Sequence, residues 1–309
     1  MINRALPLLL LLLTGCFRVG DELEPQLNYG VQEQYLKSLP SPFPPLSDHE
    51  IAKDWGREDK IALGFAHELD LYQAISTFKR ASFLAPPQDR LVQINYDILY
   101  CYYLGGKYPE TIYTFETGPL RSTNDHFTPY HDLLIILYDS YMKQHQPDHA
   151  QRILDFMATL YPDTAHKLSY SKFLVQGDIP ALEKIAPTEP NIQTLLSYYE
   201  AEKKSVKKAQ LLNALLPGAG YFYVGQKQTA ITALLINGLF IWASAYFFQH
   251  GNVAAGAIFT SLEAGWYFGG IYGAGLEAKF YNERSYERLA TPMMNEKGYF
   301  PILMLKYGF

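Results

Sequence analysis

Two long apolar stretches, near 229–248 and 253–275, constrain this chain more than any other feature. Each is long enough to cross a hydrocarbon core as a helix, which takes about 20 residues. Only Gln249-His250-Gly251-Asn252 separates them, so the expected structure is a transmembrane helical hairpin. The second arm carries Ala257, Ser261, Gly265, Gly269 and Gly273, a small residue at every fourth position. Lipid tails supply no hydrophobic drive between helices, and a small-residue stripe lets backbones approach. Helix packing within the hairpin and homo-oligomerisation both fit. Asn237 and Glu263 each stand 13 residues from His250. At about 1.5 Å per residue, that puts both about 20 Å from the turn, at one depth. An intramembrane carboxylate is costly unless paired, protonated or hydrated. The structural expectation is a protonated Glu263 bonded to Asn237; the functional one is an oligomeric or water-filled path lined by Glu263.

Ahead of the hairpin, Lys203, Lys204, Lys207 and Lys208 precede Leu216-Pro217-Gly218-Ala219-Gly220, Tyr223 and Gly225. Asn237-Gly238, Gly265-Trp266-Tyr267 and Tyr281-Asn282 follow. Over about 75 residues this resembles a family of uncharacterised bacterial membrane proteins with a PGxGxxYxG motif before a hydrophobic hairpin. The resemblance implies a membrane domain and no activity. Pro217 and the glycines should break and re-aim the approaching helix, while Tyr221 and Tyr223 suit a bilayer interface. Basic residues flank both ends, with Lys279, Arg284 and Arg288 after the hairpin. That bias would hold both ends in the cytoplasm of an inner membrane. An exported N-terminal side requires either a further crossing around 209–225 or insertion from the periplasmic side.

From about 55 to 188 the apolar period is helical and it recurs. Ala74, Phe78, Ala81 and Pro86 are matched by Tyr102, Gly106-Lys107-Tyr108, Thr111 and Phe115. Tyr141, Ala150, Leu154, Met157 and Pro162 repeat the pattern, and Gly177-Asp178 with Ala181-Leu182 begin a degenerate fourth unit. Small residues seven apart let a partner helix approach, and a large residue between them fills the gap. The pattern resembles tetratricopeptide repeats over roughly 130 residues. Unit spacings of 37 and 39 depart from the usual 34, and an insertion falls at 117–129. The resemblance implies a groove lined by the first helix of each unit. Its expected lining is Asp59, Leu63 and His67, then Tyr96, Tyr100 and Tyr103, then Asp139 and Lys143. The three tyrosines share a helix face, suited either to a protein or peptide partner or to closing gaps between hairpins.

At the N-terminus, Arg4 and a leucine run over 8–13 lead to Leu13-Thr14-Gly15-Cys16. A basic tip, a short apolar core and a small-residue cleavage site make a secretory signal rather than a span. Leu-Thr-Gly-Cys resembles the lipobox of bacterial lipoproteins, which implies diacylglycerylation of Cys16 after removal of residues 1–15. Phe17 in place of an aspartate favours outer-membrane over inner-membrane destination. The remaining cysteine, Cys101, then has no disulfide partner and is expected to be buried as a small hydrophobe. Residues 16–50 include Leu39-Pro40-Ser41-Pro42-Phe43-Pro44-Pro45, expected as a semi-rigid tether.

The expected fold is therefore all-α: a tetratricopeptide-like helical-hairpin solenoid over 51–200, then a membrane domain over 201–282. The tail, 283–309, alternates Leu303, Leu305, Tyr307 and Phe309 like the last strand of an outer-membrane barrel. A closing strand or a docked tail is expected there. A net charge of −5 gives no basic face for nucleic acid. No phosphate loop, nucleophile elbow or zinc helix occurs. His145 and His149 flank Pro147 in an expected turn, so neither a metal site nor any other cofactor is expected, nor an enzyme. The functional expectation is a lipid-anchored, periplasm-facing envelope scaffold that grips a partner protein and docks into the lipid bilayer. The alternative is an oligomeric channel or transporter accessory.

Overall fold

A computed structural model of the chain describes residues 19–309, so Cys16 and the signal segment lie outside the described residues. The described chain is all-helical and contains no strand. It forms two compact units. One comprises Asn28–Lys172 with Pro292–Phe309, and the other Phe173–Thr291 with the described residues up to Leu27.

The first unit opens with two short helices, α1 (Glu33–Ser38) and α2 (Asp48–Ile51). Three helix pairs follow: α3 (Asp54–His67) with α4 (Leu71–Phe83), α5 (Gln88–Leu104) with α6 (Tyr108–Thr117), and α7 (Tyr130–Lys143) with α8 (Pro147–Leu160). α9 (Pro162–Gln176) runs from this unit into the other, where α10 (Ile179–Ile185) follows it. The turns repeat in atomic detail. Leu69, Gly106, His145 and Gly177 take φ of 61°, 66°, 54° and 62°. The N–H groups of Asp70, Lys107, Gln146 and Asp178 reach back to the carbonyls of Phe65, Tyr102, Tyr141 and Phe173, at 2.8–3.0 Å. This left-handed helix ending satisfies orphan carbonyls and reverses the chain. Asp70 and Asp178 then accept from Gln73 and Ala181 to cap the next helix.

The core positions expected from the pattern are filled. Ala74, Phe78, Ala81, Thr111, Ala150 and Met157 are fully buried, as is Cys101. The insertion forms a short 3-10 turn, Pro119–Ser122, pinned by buried Leu120.

Both ends of this unit are tied down. The proline-rich segment is not a free tether, because Arg90 ties it down. The guanidinium donates to the carbonyls of Pro44 (3.0 Å) and Pro45 (3.3 Å) and pairs with Glu50 at 2.8 Å. Its hydrogen bond to the Glu50 carboxylate, with further ones from Ser47, holds that carboxyl down at about 2. The tail docks rather than forming a strand: a 3-10 turn, Pro301–Met304, precedes an extended run whose Leu305 and Phe309 are buried.

In the second unit α11 (Pro190–Glu202), α12 (Val206–Leu215) and α13 (Ala219–Val224) lead to α14 (Lys227–Gln249) and α15 (Val253–Glu296). The glycine motif is a close-packed crossing. Gly218 sits at φ 94°, and a Cβ there would lie 2.3 Å from the Ala230 carbonyl oxygen. A Cβ on Gly220 would lie 2.2 Å from that of Ala209. Asn213 Oδ1 accepts the Gly218 N–H at 2.9 Å, and the Tyr267 hydroxyl donates to the Ala214 carbonyl. Asn282 exchanges two hydrogen bonds with the backbone of Lys204, at 2.7 and 2.8 Å. Only glycine fits such approaches.

Among the described residues one helix, α14, is long and apolar enough to cross a membrane. Ile231, Leu235, Leu239 and Trp242 are exposed along it. The second apolar stretch does not end near 275. It opens a 44-residue helix that runs through the expected boundary at 282 and past Pro292. Its start carries Glu263 and several glycines and aromatics, which lower its apolar character below that of α14.

Candidate functional site

The first helices of the pairs, α3, α5 and α7, present a shared row of aromatic and acidic side chains. On α5, Tyr96, Tyr100 and Tyr103 follow one face, as their spacing requires. All three are at least 95% buried. The groove expected there is filled by the chain itself. Phe43 from the proline-rich segment packs edge-on to Tyr96 at 5.7 Å, and Phe127 from the insertion meets both rings at 5.8–5.9 Å. The tail covers Tyr100 with the Phe309 ring at 4.9 Å.

The tail is held by its backbone. Asp132 on α7 is fully buried, and its Oδ2 accepts the N–H groups of Lys306 (2.7 Å) and Tyr307 (2.9 Å). Its Oδ1 lies 2.8 Å from Nδ1 of His131, whose Nε2 lies 2.9 Å from Thr164 Oγ1. Tyr161 stands edge-on to the imidazole at 4.9 Å and fixes its plane. The Gly308 N–H donates to the Pro40 carbonyl at 3.0 Å. One carboxylate thus clamps two successive amides, and charge-assisted bonds of this kind are the strong ones. Main-chain recognition holds an extended segment whatever its side chains, and the Tyr100 seat adds a preference for an aromatic ring.

The other expected lining residues divide. Asp139 is reached by the Tyr103 hydroxyl at 2.9 Å, and burial raises its pKa. Lys143 is exposed near it. Asp59, Leu63 and His67 border a cavity of about 450 Å³ together with Asp97 and Phe309. Burial pushes Asp59 up to about 6 and Asp97 well above the usual carboxylate range. The hydroxyls of Tyr96 and Tyr100 are buried without a hydrogen-bond partner.

Asp132, Asp97, Phe43 and Phe127 are the residues sequence reasoning missed. The signal for the two acids was there: each interrupts an otherwise apolar helical run, Tyr96-Asp97-Ile98-Leu99 and His131-Asp132-Leu133-Leu134.

In the second unit the expected polar pair does not bond. Asn237 Nδ2 donates to the Ala233 carbonyl one turn back at 2.6 Å. Asn237 Oδ1 and Glu263 Oε2 are each buried without a partner. Equal depth fixes height along two helices but not the direction each side chain faces. The small-residue stripe is also not the seam between α14 and α15. Ala257, Ser261, Gly265 and Gly269 are exposed, and a Cβ on Gly265 or Gly269 would touch nothing. Gly273 is covered by the Tyr221 hydroxyl. The two helices meet instead through Phe259, against Phe240 at 6.2 Å and Phe247 at 5.3 Å, and through Gly256 beneath Phe248.

Compared with known protein families, curated proteins and solved structures, the chain gives no match.

Proposed function

We propose that this chain is a lipid-anchored scaffold of the bacterial envelope. Its tetratricopeptide-like solenoid would grip an extended segment of a partner protein, and its C-terminal hairpin would dock into a membrane. The observation that carries the reading is the seat on α5 and α7, where Asp132 and Tyr100 hold residues 305–309 by backbone amides and one aromatic ring. A face that holds its own extended tail in this way has the chemistry to hold another chain's. The exposed apolar length of α14 supports contact with a bilayer. Lipidation of Cys16 and a membrane hairpin together would fix the solenoid at the surface, raising the partner's effective concentration there.

Two measurements test this. Membrane fractionation with mass spectrometry of the N-terminal peptide should find acylated Cys16 in the envelope, lost in Cys16→Ser. An unmodified Cys16 in a soluble fraction would overturn the anchor. A synthetic peptide of residues 301–309, titrated into the full chain, should bind at least tenfold tighter when Phe309→Ala loosens the resident tail. Asp132→Asn should abolish that binding, and equal affinity across all three proteins would overturn the grip.

The channel reading has its own observation. Asn237 lines a cavity of about 480 Å³ with Thr229, Thr232 and Gly265, and its Oδ1 is unpartnered. Conductance in a planar bilayer would favour that reading over a scaffold.

A further inference from the structure

The 450 Å³ cavity beside the tail has a character of its own. Phe43, Leu63 and Phe309 give it apolar walls, and Asp59 of α3 and Asp97 of α5 line it as well. Asp59 is 5% exposed and Asp97 4%. One carboxylate oxygen of each, Oδ1, is buried with no hydrogen-bond donor, and neither acid forms an ion pair among the described residues.

The nearby charges are committed elsewhere or turned outward. Arg90 on α5 is spent on Glu50, Gln93 and the carbonyls of Pro44 and Pro45. Glu58 on α3 pairs with Arg80 of α4. Lys60 and His67, at the rim, are exposed. Buried charges in proteins are paired or ligate ions, because an isolated one costs several kcal/mol. Two carboxyl groups left without a partner in one cavity therefore define a place where positive charge belongs.

We propose that this cavity binds an organic cation, an alkylammonium or guanidinium group held between Asp59 and Asp97, with its stem against Phe43, Leu63 and Phe309. A hard metal ion fits poorly, since calcium takes 6–8 oxygen ligands and magnesium a full octahedron. No cluster of three or more metal-ligating side chains occurs among the described residues. The volume is that of a small-molecule site. In the empty cavity burial raises both acids, and the charge of Asp59 raises Asp97 further, so Asp97 keeps its proton and an entering cation releases it to solvent, with Asp59 contributing a second only below about pH 6. Binding should therefore tighten as pH rises. The same chemistry can come from a free amine or from a lysine or arginine side chain of a bound polypeptide.

The test is calorimetric titration of the full chain with two probes, 1,5-diaminopentane and the capped amino acid Nα-acetyl-lysine methylamide. Saturable binding of either is expected, with proton release read from the dependence of the heat on buffer. Affinity should rise at least tenfold from pH 5 to pH 7. Asp97→Asn and Asp59→Asn should each weaken it at least tenfold. Binding of the diamine alone assigns a free amine, and binding of the capped lysine alone assigns a polypeptide side chain. Absence of saturable heat with both probes would overturn the site, as would affinity independent of pH. Should an asparagine variant fail to melt cooperatively, the pH series on the unsubstituted protein decides.

Discussion

The helix pairs and the apolar helix α14 use similar side chains for opposite ends. In the pairs, aromatic rings are turned inward and covered: Tyr96, Tyr100 and Phe78 are all at most 1% exposed. Along α14, Leu235 is 67% exposed and Trp242 62%. The first region closes its own core, since each helix buries its stripe on the next helix in sequence. The second leaves its apolar surface to something outside the chain. A contiguous exposed apolar surface of this kind marks an interaction site or a lipid contact. Hydrophobicity alone therefore does not separate the two regions, whereas the period does. Apolar residues recur on one face in α4 and α8, and surround the whole circumference of α14.

The largest effect should come from the covered side. Phe78→Ala leaves a cavity between two fully buried alanines and should cost about 3–5 kcal/mol, measured by thermal melting of the helical signal. In detergent, Leu235→Ala should cost less than about 0.5 kcal/mol, as expected for a side chain with few protein neighbours. Similar losses at both sites would erase the distinction.

Next in size, Leu235→Arg places a charge at the middle of α14. In a membrane this should cost about 3 kcal/mol of insertion free energy, read as loss from carbonate-washed membranes. If α14 is covered by protein rather than lipid, the variant will misfold in detergent as well.

A third prediction concerns the buried acids. Burial raises the Asp59 pKa in the folded state above its unfolded value, from 3.8 to about 6. The folded chain therefore binds more protons between those limits, and stability falls as pH rises through that window. Above about pH 6 the full penalty, on the order of 2–3 kcal/mol, is in place. Asp59→Asn should flatten the pH 4–6 slope in denaturant titrations and stabilise the protein at pH 7. A slope unchanged by the substitution would mean that the carboxyl is solvated.

The smallest effect belongs to the turns. His145 holds a left-handed conformation that glycine occupies in two sister turns. His145→Gly should therefore stabilise by about 0.5–1 kcal/mol, a melting shift of a few degrees.

These positions also mark how far the sequence could be read. Ala74, Phe78, Ala81, Ala150 and Met157 were legible because helical spacing dictates which residues share a buried face. The turn residues Leu69 and His145 were not, since their conformation follows from the hydrogen bonds of the reversal and neither type announces it. The row of tyrosines on α5 was correctly placed on one face, and its covering was not. Phe309 lies more than 200 residues from Tyr100 in the chain, and no local pattern encodes that meeting. The Asn237–Glu263 pair failed for a related reason: matched depth is a statement about length, while a hydrogen bond needs matched rotation as well.

If the α5–α7 face binds a partner as proposed, the seated tail makes it a receptor that travels with its own competitor. A ligand carried on the same chain as its site, and held near it by the fold, acts as though present at about millimolar concentration. A free peptide of equal intrinsic strength at micromolar concentration would hold the seat about a thousandth of the time. On that reading, sequences that merely resemble the tail would be filtered out. Occupancy would pass to a newcomer only if it were crowded on the same surface, bound at several points at once, or fitted far better than residues 305–309 do.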